Sequence, residues 1–235
     1  MYKKETSFCD HSECIKSLVD TCTSIIGKHK YSDEDIRTIT FANIRGIAYS
    51  SLGITNLLHS WVIGNEQIKQ VIPQLLGMSE VTTRTVKLMG DDIAKTAKLS
   101  LILLCQFQIE NLICLMANAI GATSKKKGFY DKVSSLIKSL ELDSKKIEEL
   151  NVPALIRNSL HSNGIHHSYD GKDFSITLQG VDYEFLNGKK VSCASMTHIA
   201  HSLENSLEIL DEILDHEKLK NHTEEIHDEY RLQTK

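Results

Sequence analysis

The stretch "LSLILLCQFQIENLICLMANAI" (residues 99–120) decides the fold. Its length matches a bilayer crossing, but Gln106, Gln108, Glu110 and Asn111 interrupt the apolar run near its centre, where hydrocarbon tolerates them poorly. It reads instead as the buried central helix of a helical bundle, reaching back to about Asp91 and apolar on more than one face. Glu110 is then an isolated acid in an apolar helix, and burial without a cation or amide beside it is costly, so an arginine partner is expected.

The regions on either side repeat the helical period. Downstream, "GATSKKKG" (121–128) is a loop, and "FYDKVSSLIKSLEL" (129–142) spaces Phe129, Val133, Leu136, Ile137 and Leu140 along one helical face. "DSKKIEEL" supplies a cap and a short helix, and Pro153 opens the next helix, which Asn163 and Gly164 stop. Then the period changes from helical to alternating. Phe174, Ile176 and Leu178, followed by Tyr183 and Phe185, predict a small β-hairpin or meander with turns at Gln179-Gly180 and Asn187-Gly188. The last long helix follows, with Leu203, Leu207, Leu210 and Leu214 on its inner face.

Upstream, residues 12–28 form a helix through Cys14, Ile15, Leu18, Cys22, Ile25 and Ile26. A second opens near Ser32, where "SDED" offers a cap and first-turn acids, and runs to about Ser51. Gly53, Gly64, Pro73 and Gly77 then predict shorter or kinked helices. The expected fold is all-α, a helical bundle with a small β-hairpin inserted before the last long helix. It forms one domain over 1–235: N-terminal helices in 1–90, the core in 91–215 and a frayed tail in 216–235.

With 27 basic and 31 acidic residues among 235, overall charge does not mark the chain as a nucleic-acid binder. The lysines of "SKKKG" (124–128) could steer a polyanion, or form an ordinary solvated loop. The six cysteines are scattered without a C-x-x-C pair, and the N-terminus lacks the apolar core of a signal peptide; both point to a reducing cytoplasm and away from a zinc knuckle or a membrane. His166, His167, His198 and His201 are a weak metal alternative, since no carboxylate or cysteine is clearly placed with them. No metal or other cofactor is expected.

Chemistry concentrates in "RNSLHSNGIHH" (157–167). Arg157 and His161 are four residues apart and share a helix face, with Asn158 beside them. An arginine holds phosphate oxygens bidentately, and a neutral imidazole accepts a proton from a ribose 2′-hydroxyl or returns one to a leaving oxygen. A bundle carrying an "RN…H" motif on a late helix resembles the HEPN superfamily over residues 91–215. That resemblance implies a metal-independent endoribonuclease or RNA-binding protein of defence or toxin–antitoxin systems, working as a homodimer on RNA, with an antitoxin or regulatory protein as a further partner. It gives Arg157 the phosphate, Asn158 the polar position and His161 the proton transfer, with His166 and Glu110 as additional candidates. Three residues separate Arg157 from His161 and eight separate it from His166, and neither spacing is the family's usual one. The competing reading is a non-enzymatic interaction or regulatory protein in which Arg157 pairs with Glu110, Glu148 or Glu149 and the segment is structural.

Overall fold

A computed structural model describes residues 8–62, 74, 77, 82–122 and 128–228. The lysines at 125–127, together with Gly64 and Pro73, lie outside the described residues. In chain order the elements are α1 (Phe8–His29), α2 (Ile36–Val62), α3 (Thr83–Ala119), α4 (Phe129–Ser139), α5 (Lys145–His161), β1 (Phe174–Leu178), β2 (Val181–Phe185), α6 (Met196–Asp215) and α7 (Glu217–Lys220). The chain is an all-α bundle with one antiparallel hairpin before its last long helix.

α1 packs against both α2 and α6, α2 against α3, and α5 against α3, α4 and α6. The core between them is apolar. Leu101, Ile102, Cys105, Ile109, Leu112, Ile113 and Met116 bury one side of α3, and Leu203, Leu207, Leu210 and Leu214 line the inner face of α6. α3 is not buried all round, however. Leu104 and Phe107 stay about half exposed, beside a groove of about 660 Å³ that they share with Ala42, Gly46 and Ile54 of α2. Lys87–Ala119 is long and apolar enough to cross a membrane, but much of its apolar surface is taken up by the bundle.

Several boundaries move from where local sequence puts them. α2 starts four residues after Ser32, because Asp35 rather than Ser32 accepts from the backbone N–H of Arg37 (2.8 Å). It then runs through Gly53, whose helical cost of about 1 kcal/mol is offset by packing on either side, where Ser51 and Thr55 are buried. α3 begins at Thr83, capped by Thr82, whose hydroxyl accepts from Thr85 N–H at 3.1 Å. α5 does not open at Pro153. It opens at Lys145, where Asp143 accepts the first free N–H (2.9 Å), and it continues through the proline because Val152, Pro153, Ala154 and Ile156 are all buried.

The hairpin follows the alternation. Phe174 pairs with Phe185, Ile176 with Tyr183, and Leu178 with Val181, which leaves Gln179 and Gly180 as a two-residue turn. Both turn residues have positive φ (46° and 84°), the left-handed turn that matches strand twist. Tyr183 and Phe185 are fully buried, and the Tyr183 hydroxyl lies 2.9 Å from the His198 carbonyl, tying the hairpin to the first turn of α6.

The tail expected to fray from 216 is packed through Asp228. Leu219 is fully buried and Ile226 nearly so; Ile36 N–H donates to the Ile226 carbonyl (2.9 Å), and Asn111 donates to Asp228 (3.0 Å). The Arg37 guanidinium also donates to the carbonyls of His222 (3.3 Å) and Glu224 (3.0 Å). The charged tail is held by backbone hydrogen bonds as well as by Leu219, Ile226 and the Asp228 carboxylate, and the backbone part leaves no apolar periodicity in the sequence.

Candidate functional site

α5 ends in a left-handed stop. Asn163 and Gly164 have φ of 56° and 81°, and Gly164 N–H returns to the Ser159 carbonyl at 2.8 Å, with Ser162 N–H shared between the Asn158 and Ser159 carbonyls. The last turn of α5 therefore carries Arg157, Asn158 and His161 at a helix end whose carbonyls are satisfied.

Arg157 meets the acid expected for it. Its Nη1 lies 3.4 Å from Glu110 Oε2 on α3, with 16% of the arginine side chain and 28% of the glutamate side chain exposed. Its Nε and Nη2 donate to the Asn158 side-chain oxygen at 3.2 and 3.1 Å. Three bonds engage three of a guanidinium's five N–H donors, one of them long and two to a neutral amide. Two N–H groups therefore have no acceptor among the described residues. His161 is exposed and makes no hydrogen bond or ion pair among the described residues, so its ring can reach a bound molecule.

The structure brings Glu110, Arg157 and Asn158 together and leaves His161 one helical turn away on the same face. It removes His166 from the group. Only 4% of His166 is exposed, its ring centre is 5.4 Å from that of Phe185, and burial pushes its pKa below the usual imidazole value, with His167 adding to the effect and Asp173 opposing it. His166 belongs to the hairpin's packing and does not offer a proton relay at the longer spacing.

Of the histidines of the metal alternative, His198 and His201 are engaged in packing like His166, whereas His167 is exposed. His198 Nδ1 is 2.7 Å from the hydroxyl of Ser195, which caps α6, and His201 Nδ1 is 2.9 Å from the Tyr183 hydroxyl. Burial lowers the pKa of both; His201 reinforces the shift at His198, while Glu204 and Glu208 oppose it at His201. A different trio, His29, Asp211 and Asp215, brings its ligand atoms within 4.8 Å of one another. Sequence reasoning missed it because α1 and α6 are far apart in the chain. The Lys28 ammonium lies 2.7 Å from Asp211 and also meets Asp215, so the two carboxylates already have a cation. Burial also disfavours thiolate formation at two cysteines, pushing the Cys22 thiol up to about 12 and the Cys193 thiol up to about 11.

Beyond the helix, residues 164–166 pair with 189–191. Val191 N–H donates to the Gly164 carbonyl (2.8 Å), His166 N–H to the Lys189 carbonyl (2.9 Å), and Gly188 N–H to the His166 carbonyl (2.8 Å). The Lys190 side chain consequently lies over Gly164, with Cγ and Cε each 3.7 Å from where a Cβ would stand. The turn signal at Asn187-Gly188 was legible, but the return of Lys189 and Lys190 to the end of α5 was not. No family model, curated protein or solved structure matches the chain, so the functional reading rests on this geometry and on the motif it presents.

Proposed function

We propose that the chain is an HEPN-like RNA-binding protein that cleaves RNA without a metal, acting as a homodimer in defence or toxin–antitoxin function. The observation that carries this reading is Arg157: a mostly buried guanidinium, held by Glu110 and Asn158, with two N–H donors left and an exposed His161 on the same helix face. Those donors suit the two non-bridging oxygens of a phosphodiester.

In the reaction, the ribose 2′-oxygen attacks phosphorus while neutral His161 accepts its proton. The bond to the 5′-oxygen breaks, leaving a 2′,3′-cyclic phosphate and a 5′-hydroxyl, and Arg157 stabilises the charge that builds on phosphorus oxygens. The 5′-oxygen needs a proton as it leaves. A second copy of His161, protonated and supplied across a homodimer, would provide it. A reducing cytoplasm belongs to the same reading, supported by five cysteines that form no disulfide among the described residues.

A non-enzymatic regulatory or interaction protein is the second reading, and the Arg157–Glu110 contact favours it, because an arginine held by an acid can be purely structural. The test is incubation of the purified protein with mixed RNA in EDTA, scoring 2′,3′-cyclic ends, alongside Arg157→Ala and His161→Ala. Cleavage by the wild type, lost in both folded variants, is the expected result. Equal RNA stability with and without folded wild-type protein, given its native partner, would leave the interaction reading standing.

A further inference from the structure

Tyr169 is wholly exposed at the tip of a turn that the rest of the structure holds firmly. Gly171 N–H closes the turn onto the Ser168 carbonyl (3.4 Å), and Asp170 accepts from the Ser168 hydroxyl (2.6 Å) and from Lys172 N–H (3.2 Å). Both ends are fastened to one residue of the turn after β2: Ser168 N–H donates to the Asn187 side-chain oxygen (3.0 Å), and Asn187 N–H donates to Asp173 (2.7 Å). Turn tips favour small polar residues, and an aromatic ring here contributes no packing to the fold. The side chain is presented outward on a fixed base.

The charge around it also departs from that of the chain. The protein carries a net charge of −4, yet the segment after β2 that fastens this turn brings Lys189 and Lys190, both exposed and without an ion-pair partner among the described residues. Of the two acids in this turn, Asp170 meets the Lys172 ammonium (3.5 Å) and accepts from Ser168 and Lys172 N–H, while Asp173 accepts from Asn187 N–H and keeps its charge. Lys190 lies over Gly164, three residues beyond His161, so the lysines connect the end of α5 to the Tyr169 turn. An exposed aromatic on a turn fastened to Asn187, two and three residues before exposed cations, offers the two elements that bind single-stranded nucleic acid, a ring to stack a base and cations to meet its phosphates.

We infer that Tyr169, Lys189 and Lys190 form a stacking subsite for an unpaired base of single-stranded RNA, next to the Arg157–His161 end of α5. This rests on the RNA reading above and adds to it what the RNA must look like. A base locked in a duplex cannot present its face to Tyr169, so the subsite selects unpaired segments.

The test is an anisotropy titration of the full chain with a fluorescein-labelled, 2′-O-methyl single strand of about a dozen nucleotides, within the usual site sizes of such proteins. The methyl group blocks the attacking oxygen, so binding is read without cleavage. Tyr169→Ala should weaken binding about tenfold and Tyr169→Phe should not, because the ring face is what stacks. Replacing Lys189 and Lys190 together by Ala should lower the slope of log affinity against log salt by about 1.4, at ~0.7 per single-strand phosphate contact. A blunt duplex of the same sequence should bind more weakly than the single strand. Binding by the wild type that Tyr169→Ala leaves unchanged, or equal affinity for the duplex, overturns the subsite while leaving the RNA reading intact. Failure of the wild type to bind any RNA overturns both.

Discussion

Arg37 and Arg157 each meet a carboxylate, but under opposite conditions. Arg37 is 2% exposed and Asp35 1%; the guanidinium grips both carboxylate oxygens, donates to two carbonyls of the tail and covers the Tyr31 ring at 3.8 Å. Asp35 in turn accepts the backbone N–H groups of Arg37 and Ile226. Arg157 has one long contact to a partly exposed Glu110 and spends two donors on the neutral amide beside it. A buried ion pair persists only where other hydrogen bonds satisfy what its partners leave over. By that measure the first pair is saturated and belongs to the fold, whereas the second is under-committed and leaves capacity for a ligand.

The largest expected effect breaks the saturated pair. Arg37→Ala leaves Asp35 buried without its cation and should lower stability by about 3–5 kcal/mol in urea unfolding, with faster amide exchange in the tail around Ile226. Arg157→Ala should cost less than about 1 kcal/mol in the same measurement, as partly exposed pairs do. A loss as large as that of Arg37→Ala would erase the contrast and return Arg157 to a structural role. The smallest effect comes from acidification. His166, His198 and His201 have folded pKa values below their unfolded ones, so between those values the unfolded chain binds more protons and stability rises with pH. This penalty is absent well above the ordinary imidazole value near 6.5 and grows as pH falls through it. The urea midpoint should therefore be lower at about pH 5.5 than at about pH 7.5. A midpoint that does not fall would mean that the hairpin and the first turn of α6 do not hold these rings in the neutral form.

What was legible in the sequence was what neighbouring residues decide. The alternation of Phe174, Ile176 and Leu178 against Tyr183 and Phe185 specified the hairpin, the leucines of α6 gave its inner face, and the isolation of Glu110 called for an arginine. The parts that were not legible depend on residues far apart in the chain. The start of α2 is buried under a tail nearly two hundred residues later, Lys190 reaches Gly164 only through a backbone bridge, and His29 meets Asp211 only because α1 packs on α6. Gly53 and Pro153 carry local preferences for a helix boundary, but the helices run through both, because burial on either side outweighs those preferences. The site divides in the same way: Arg157, Asn158 and His161 share one helix and could be read together, whereas Tyr169, Lys189 and Lys190 join only once the hairpin has closed.

The docked tail also bears on how the chain is made. A ribosome delivers residues from the N-terminus, so Asp35 and Arg37 emerge long before His222, Glu224 and Ile226, whose backbone groups complete their hydrogen bonding. During synthesis the first turn of α2 must keep its charges hydrated and can take its native burial only after the tail has emerged. Closure of that corner of the bundle thus waits for residues 222–226, and nascent chains stalled before residue 222 should leave α2 open to protease at its start.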